Sequence, residues 1–274
     1  MAGKGKRSMP DNMSGQSSKK RKVCNLGCNK GGIEGGDWGV FVTCDIGKES
    51  KCMSEAVDLF TQVRKPLPSS LDADDEDKSD DEDEDDIEAM IKKEVEGLKP
   101  SQAKSRPFQA IRMDLPCLSF IRFDKSIDPE ELVHQLCLDA HAHPEKKRSR
   151  YIQRMTPVKS VRKTLSVELE SFAREMLKPH FHSGGPLKKY AIRPVVRSNK
   201  KFSRDSVIKT VADVVGPEHP VDLKNYDTLI NVIVIQNVIG IGVAGSDYEQ
   251  LKKYNLAELY TPTSAEQAAQ PSDV

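Results

Sequence analysis

The sequence predicts an α/β or α+β protein in which helices pack against a mixed β-sheet. Apolar runs with the length of strands alternate along the chain with segments whose apolar residues recur every three or four positions, as in amphipathic helices. Setting aside the segments that are too polar to fold leaves about 200 residues, which is enough for one substantial core or two small ones.

The first part of the chain predicts a strand followed by a helix. Residues 38–44 (WGVFVTC) form an apolar run typical of a buried strand. Met53, Val57 and Phe60 then recur at helical spacing, which predicts one buried helix face. The other elements predicted in this part are a short helix over 87–98 and strands over 108–113 and 118–123.

The middle of the chain predicts two helices around a strand. Asp128 can cap the first helix, Pro129 suits its first turn, and Glu131 has the spacing of a capping box. Its apolar face is formed by Leu132, Leu136 and Ala140. A strand over 151–155 follows, and then a helix that ends near Pro179, with Leu165, Leu169, Phe172 and Met176 inward.

The last part predicts three strands and two helices. In a strand over 190–196, Tyr190 and Ile192 share one face, and Arg193 shares the other with Arg197. A helix from about Ser203 buries a run of valines. The remaining predicted elements are strands over 228–235 and 238–243, joined by a tight hairpin at 236–237, and a final helix over 248–254.

Charge is divided into blocks of opposite sign, although the net charge is zero. Residues 1–65 carry 12 Lys and Arg against 7 Asp and Glu, and residues 99–260 carry 27 against 18. Between them, residues 66–98 carry 3 against 15. A positively charged folded module beside an acidic segment indicates a polyanionic partner, with nucleic acid as the first candidate.

Three segments are too polar to order themselves by burying apolar surface. They are a basic arm over 1–35, an acidic insertion over 66–86 and a tail over 261–274. In the arm, Lys19, Lys20, Arg21 and Lys22 form a compact cluster of the kind that nuclear import receptors bind; the alternative is a nonspecific contact with RNA. Ser79, followed by three acidic residues, is a candidate phosphorylation site.

No signal peptide or membrane-spanning segment is expected. The basic N-terminus lacks an apolar run after it, and the most apolar run, over 229–243, is short and interrupted by polar residues. We therefore expect a soluble intracellular protein whose six cysteines are reduced.

Several motifs suggest chemistry, but an ordinary structural interpretation is favoured for each. Cys24 and Cys28 have ligand spacing, but Cys44 and Cys52 complete a zinc site poorly, so no metal is expected. Residues 240–245 match the dinucleotide fingerprint GxGxxG, yet too little chain follows for the βαβ unit that it needs. These glycines are interpreted as permitting close strand packing and a turn.

Two further motifs are interpreted in the same way. His134, Cys137 and His141 share a helix face with His143 nearby, which is more typical of an amphipathic helix than of a metal site. Residues 183–185 (SGG) resemble part of a phosphate-binding loop, but no strand precedes them. No Ser/His/Asp or Cys/His arrangement points to a reaction.

Two acid-free basic clusters are the positive signal for function. One covers residues 146–163 and the other residues 188–204. Phosphate contacts dominate affinity for nucleic acids, and the low aromatic content favours recognition of RNA backbone and shape. The alternative is a solvated surface. The predicted RNA contacts are Lys146, Lys147, Arg148, Arg150, Arg154, Lys159, Arg162, Lys163, Lys188, Lys189, Arg193, Arg197, Asn199, Lys200, Lys201 and Arg204.

The order of these blocks resembles a known family over roughly residues 38–260. The resemblance rests first on Arg150, Arg154, Met155 and Pro157, and then on Arg197, Asn199, Phe202, Arg204 and Asp205. It extends to residues 39–44, Cys52, the acidic insertion, Ile121, Arg122 and residues 253–256. This pattern is similar to the stand-alone THUMP domain-containing proteins of the tRNA cytidine acetylation adaptor type.

The resemblance implies a fold and a division into domains. Residues 36–127, with the insertion 66–86, would form a ferredoxin-like subdomain, packed on a THUMP domain over 128–260 that binds tRNA.

The resemblance also implies a function without catalysis by this chain. The chain would present serine and leucine tRNAs to an RNA cytidine acetyltransferase, which forms acetylcytidine in the D-arm. No cofactor is expected on this chain, because acetyl-CoA and ATP would belong to the partner. We expect a monomer in the nucleus and nucleolus, with the cytoplasm as a second compartment.

Two other function classes stay open at this point. One is an RNA-modifying enzyme with a cryptic active site. The other is a nuclear factor that binds basic proteins through the acidic segment.

Overall fold

The computed structural model describes residues 32–64, 106–165 and 168–261. Within these ranges the elements are β1 Gly39–Thr43, α1 Glu49–Arg64, β2 Phe108–Arg112, β3 Leu118–Phe123, α2 Pro129–Ala142, β4 Met155–Val158, β5 Ser160–Lys163, α3 Leu169–Phe181, β6 Tyr190–Arg197, α4 Arg204–Val215, β7 Thr228–Ile235, β8 Val238–Gly245 and α5 Leu256–Leu259. None of the helices in these ranges has the length and apolar character that a membrane crossing requires.

Several predictions fall outside the described residues. They are the import cluster Lys19, Lys20, Arg21 and Lys22, the candidate phosphorylation site Ser79, Cys24 and Cys28, the acidic insertion 66–86, the helix over 87–98, most of the basic arm and the tail from residue 262.

The first sheet is antiparallel and has the strand order β2-β3-β1-β4. In β1, Phe41 lies opposite Phe120 of β3 on one side and opposite Thr156 of β4 on the other. α1 and α2 cover one face, where Phe60 and Leu136 are buried in one core. A β-α-β-β-α-β order with these neighbours is the ferredoxin-like motif.

The first subdomain extends further along the chain than predicted. We expected it to end at residue 127, but β4 pairs with β1 from Val42 opposite Met155 to Gly39 opposite Val158. The buried face of α2 also belongs to this core. The boundary between residues 127 and 128 is therefore wrong, and the ferredoxin-like unit ends at Val158.

The second sheet is mixed and has the order β5-β8-β7-β6. β6 and β7 run parallel, with Ile192 opposite Ile230, and the other pairs are antiparallel. α3 and α4 cover one face, where Phe172 and Val211 are buried against Ile230. The predicted fold class, helices against a mixed sheet, is confirmed.

The two sheets meet where only glycine fits. Lys159 alone separates β4 from β5, so the chain steps directly from the first sheet to the second. A Cβ on Gly242 would lie 2.2 Å from the carbonyl oxygen of Pro157, and one on Gly240 would lie 3.0 Å from Cγ1 of Val158. The interpretation of these glycines as close-packing residues is confirmed.

The predicted Asp128 cap, the helix start at Ser203 and the hairpin turn are confirmed, but the Glu131 side chain accepts from Nε2 of Gln135 at 3.5 Å and does not complete a capping box with Asp128. The Asp128 carboxylate accepts a hydrogen bond from the Glu130 backbone N–H at 2.9 Å at the start of α2. Ser203 caps α4 and exchanges hydrogen bonds with Ser206. Gln236, with φ of 52°, turns the chain between β7 and β8. Residues 183–185 lie in the loop between α3 and β6, as predicted.

Two helix predictions are wrong in part. Leu165 is 89% exposed in the turn after β5, and α3 begins only at Leu169. The helix predicted over 248–254 is absent from this described stretch, where Ser246–Tyr248 and Lys252–Tyr254 form two 3₁₀ turns. Left-handed backbone at residues 252–254, with φ between 49° and 59°, interrupts a continuous helix. The same turns replace the helix that a dinucleotide fingerprint needs after β8.

Candidate nucleic-acid interface

The structure distributes the sixteen predicted contacts over four places. The basic loop after α2 carries Lys146, Lys147, Arg148 and Arg150. The hairpin rim, around the β7–β8 turn, carries Arg162, Lys163, Arg197, Asn199, Lys200, Lys201 and Arg204. The seam between the sheets carries Arg154, Lys159 and Arg193. The entry of β6 carries Lys188 and Lys189, at the end of the second sheet opposite the hairpin rim.

The basic loop is held by one carboxylate from α1. Oε1 of Glu55 accepts hydrogen bonds from Oγ of Ser149 at 2.6 Å, the Arg150 N–H at 2.9 Å and the Tyr151 N–H at 3.0 Å, with the Ile152 N–H at 3.3 Å. These bonds occupy donors that a strand would use, which explains why β4 begins at Met155 and not at residue 151. Sequence reasoning missed Glu55, because a lone glutamate on a helix carries no signal for this role.

Replacing Glu55 by alanine should loosen the basic loop. Three or four backbone and hydroxyl donors lose their acceptor, so we expect the free energy of unfolding to fall by about 2 kcal/mol. Denaturant titration measures this change, and protease cleavage between residues 146 and 152 should accelerate. The matched control is Asp58→Ala, which removes an exposed acid from the same helix. Equal behaviour of the two variants would contradict the anchoring role.

The hairpin rim joins the ends of the two sequence clusters. The Thr164 N–H donates to the Asn237 carbonyl at 2.7 Å, and Nδ2 of Asn199 donates to the Gln236 carbonyl at 2.6 Å. Nζ of Lys201 donates to the Thr164 carbonyl at 3.2 Å. These bonds place Lys163, from the first cluster, beside the end of β6 from the second.

Asn199 positions the rim through both ends of its amide. Besides the bond to Gln236, its Oδ1 accepts from the backbone N–H groups of Lys201 at 2.8 Å and Phe202 at 3.0 Å. The amide is therefore used within the fold, where it shapes the loop that carries Lys200 and Lys201.

Acids from distant parts of the chain neutralise some of the predicted contacts. Four of the basic residues form ion pairs: Arg148 with Asp139 at 3.1 Å, Lys159 with Asp128 and Glu130 at 3.1 Å each, Arg162 with Glu175 at 3.5 Å and Lys189 with Asp222 at 3.6 Å. The clusters are thus acid-free along the sequence but not in space.

Lys159 links the seam to the start of α2 through its ion pairs with Asp128 and Glu130. Burial lowers the pKa of its ammonium group, but Glu130 and Asp128 outweigh that effect and raise it overall. Burial also raises the pKa of Glu130, whose Oε1 accepts from the Val243 N–H at 2.6 Å. The ammonium group of Lys159 is thus engaged by α2 and the sheet, unlike the exposed lysines of the hairpin rim.

Eleven of the predicted cations form no ion pair with any described residue. They lie in all four places: Lys146, Lys147, Arg150, Arg154, Lys163, Lys188, Arg193, Arg197, Lys200, Lys201 and Arg204. Arg204 also lies in the first turn of α4, where the helix dipole disfavours a cation. Unpaired cations on both units of the fold are what a polyanionic partner requires.

The residues considered for metal binding are used otherwise. Nε2 of His134 lies 2.5 Å from Oδ2 of Asp247, and burial raises the pKa of the Cys137 thiol. Burial likewise raises the pKa of Cys44 and Cys52. The described residues contain no group of three or more His, Cys, Asp or Glu side chains arranged to hold an ion.

Comparison with known proteins adds a family. Residues 166–244 match the model of the THUMP domain. An uncharacterised protein of Schizosaccharomyces pombe is 35% identical over 231 residues, covering 84% of this chain and 78% of that protein. The tRNA acetyltransferase TAN1 of Saccharomyces cerevisiae is 31% identical over 267 residues, covering 89% and 90%. THUMP domain-containing protein 1 of Homo sapiens is 32% identical over 243 residues, covering 85% and 67%.

Proposed function

The chain belongs to the family of THUMP domain-containing proteins, and from that premise we propose that it is a noncatalytic tRNA-binding adaptor. It presents tRNA to an RNA cytidine acetyltransferase. The observation that carries the proposal is the set of eleven unpaired cations on the described residues, six of which lie within the matched THUMP segment. Such a surface binds a phosphate backbone, while the fold holds its cations in fixed positions.

The reaction is proposed from the name of one relative. TAN1 is named a tRNA acetyltransferase, and this chain covers nine-tenths of its length. We propose that acetylcytidine forms in the D-arm of serine and leucine tRNAs. Acetyl-CoA and ATP are bound by the partner acetyltransferase, and this chain binds the tRNA.

Three buried cysteines among the described residues are poorly suited to act as nucleophiles. A cysteine nucleophile acts as the thiolate, and burial raises the pKa of the Cys44, Cys52 and Cys137 thiols. The buried thiols therefore stay protonated and contribute to packing. A monomer in the nucleus and nucleolus, with the cytoplasm as a second compartment, is part of the same proposal.

Reconstitution with purified components tests the proposal. Incubated with tRNA, acetyl-CoA and ATP, the chain alone should form no acetylcytidine, and adding it to an RNA cytidine acetyltransferase should raise the yield at least tenfold. Nucleoside mass spectrometry measures the product, and serum albumin in place of the chain is the control. Acetylcytidine made by the chain alone would favour the enzyme alternative instead.

Nucleoside mass spectrometry of tRNA from cells distinguishes the adaptor from the remaining alternative, a factor that binds basic proteins. Transfer RNA from cells that lack this protein should contain no acetylcytidine. An unchanged acetylcytidine content of this tRNA would contradict the adaptor function. A protein-binding role of the acidic segment would then be the better explanation.

A further inference from the structure

An open groove lies between α1 and the basic loop, outside the segment that matches the THUMP domain model. Its α1 side is lined by Ser54, Asp58 and Gln62, and its other side by Arg148 and Tyr151. The volume of the groove is about 420 Å³, and pockets for small ligands measure roughly 300–1,000 Å³. The groove is therefore large enough for one nucleobase, which is a flat ring system of small-ligand size.

Tyr151 gives the groove an aromatic surface. Its ring is only partly buried, and it packs against the core that contains Leu59, another lining residue. Its backbone N–H donates to Oε1 of Glu55 at 3.0 Å, which fixes the residue to α1. Nζ of Lys51 lies 5.4 Å from the ring centre, and this exposed, flexible side chain can rotate away. The ring therefore offers a fixed aromatic surface on which an unpaired base can stack.

The α1 side of the groove offers hydrogen-bonding groups to a ligand. Ser54, Asp58 and Gln62 follow one another at intervals of four residues, so they form one row along the helix. Asp58 and Gln62 are exposed, Ser54 is half-buried, and no hydrogen bond or ion pair joins these side chains to another described residue. A carboxylate, an amide and a hydroxyl are thus available beside the aromatic surface.

The charges around the groove indicate which part of a nucleotide it would hold. In the neighbouring loop, Lys146, Lys147 and Arg150 are exposed and form no ion pair with a described residue, so they can bind phosphates. Inside the groove, Arg148 is engaged by an α2 carboxylate at 3.1 Å, and Asp58 adds a negative charge. A carboxylate repels a phosphate but accepts hydrogen bonds from the N–H groups of a base. The groove therefore fits a base, and the loop fits the phosphates beside it.

We propose that this groove binds one unpaired base of the bound tRNA, with guanine preferred. Tyr151 stacks on the base, the Asp58 carboxylate accepts from its Watson–Crick edge, and the Gln62 amide adds a second polar contact. Guanine is preferred because its N1–H and its amino group together match the two oxygens of a carboxylate. The inference rests on the proposed function, and it adds recognition of a base to a surface whose cations bind the backbone.

Asp58→Asn in the full chain distinguishes base recognition from simple electrostatics. If the groove binds no base, removing a negative charge should leave tRNA affinity unchanged or raise it, because tRNA is a polyanion. If Asp58 accepts from a base, the affinity should instead fall about fivefold. The matched control is Glu145→Gln, which removes an exposed acid beside the basic loop and should not weaken binding. Unchanged or tighter tRNA binding by Asp58→Asn would overturn the site.

Two variants of Tyr151 test the stacking. Tyr151→Phe keeps the aromatic ring and should bind tRNA within about twofold of the unmodified chain, whereas Tyr151→Leu should lose about tenfold. Because stacking releases no counter-ions, the slope of log affinity against log salt should stay the same in both variants. A slope reduced by about one would show that the groove holds a phosphate, which contradicts the proposal. Thermal unfolding confirms that each variant is folded, and the exposed Asp58→Asn change keeps the test decisive if Tyr151→Leu is not.

Two single-stranded RNAs test the identity of the base: a uridine heptamer and the same heptamer with one central guanosine. The unmodified chain should bind the guanosine-containing RNA about fivefold more tightly, and Asp58→Asn should abolish this difference. Equal affinities of the unmodified chain for the two RNAs would overturn the site.

Two further outcomes separate this site from the proposed function. If the Asp58 and Tyr151 variants keep their tRNA affinity but lower the yield of acetylcytidine with the acetyltransferase, the groove contacts that protein, and the base site is overturned alone. Absence of tRNA binding by the unmodified chain would overturn the proposed function itself.

Discussion

Reversing the charge of the hairpin rim will weaken tRNA binding by about a thousandfold. In the triple variant Lys163→Glu, Arg197→Glu and Lys200→Glu, three exposed cations without ion pairs become anions. Each substitution removes a cation that can bind phosphate and adds repulsion, so each should reduce the salt slope by about one. Filter binding or fluorescence anisotropy over a series of salt concentrations measures both the affinity and the slope.

The control for this variant carries the same change in net charge elsewhere. Lys48, Lys178 and Lys209 are exposed and lie outside the hairpin rim. Their replacement by glutamate should weaken affinity less than tenfold, because only the long-range field changes. Equal losses for the two triple variants would show that net charge, and not the rim, determines binding.

Replacing Gly242 by alanine will destabilise the fold by about 3 kcal/mol. The new Cβ would lie 2.2 Å from the Pro157 carbonyl oxygen, a backbone atom that cannot rotate away. The two sheets must therefore separate, or β8 must shift, at the point where their strands are closest. Thermal unfolding should show a midpoint lower by roughly 10 °C for a folded region of this size.

Gly185→Ala is the matched control for this prediction. Gly185 lies in an exposed loop, and a Cβ there would have no heavy atom within 4 Å. Its replacement should change the free energy of unfolding by less than about 0.5 kcal/mol. A Gly242→Ala variant as stable as the Gly185→Ala variant would contradict the close packing of the two sheets.

Local features of the fold were predictable from the sequence. The Asp128 cap, the Ser203 start of α4 and the hairpin at Gln236 depend on residues within a few positions of one another. The apolar periodicity of the strands and helices has the same short range. The predicted fold class followed from these signals, and the basic clusters indicated a polyanionic partner.

The features that involve distant residues were decided by the tertiary structure. Pairing of β1 with β4 moved the subdomain boundary to Val158, and Glu55 fixed a loop far along the chain. Asp222 neutralises Lys189, and Gly242 approaches Pro157 only because the two sheets are packed together. A local pattern records which residues are basic, whereas charge balance in space depends on strand register and packing. The sequence alone therefore determined most of the elements and the charge of the expected partner, and the tertiary structure decided which cations are free to bind that partner.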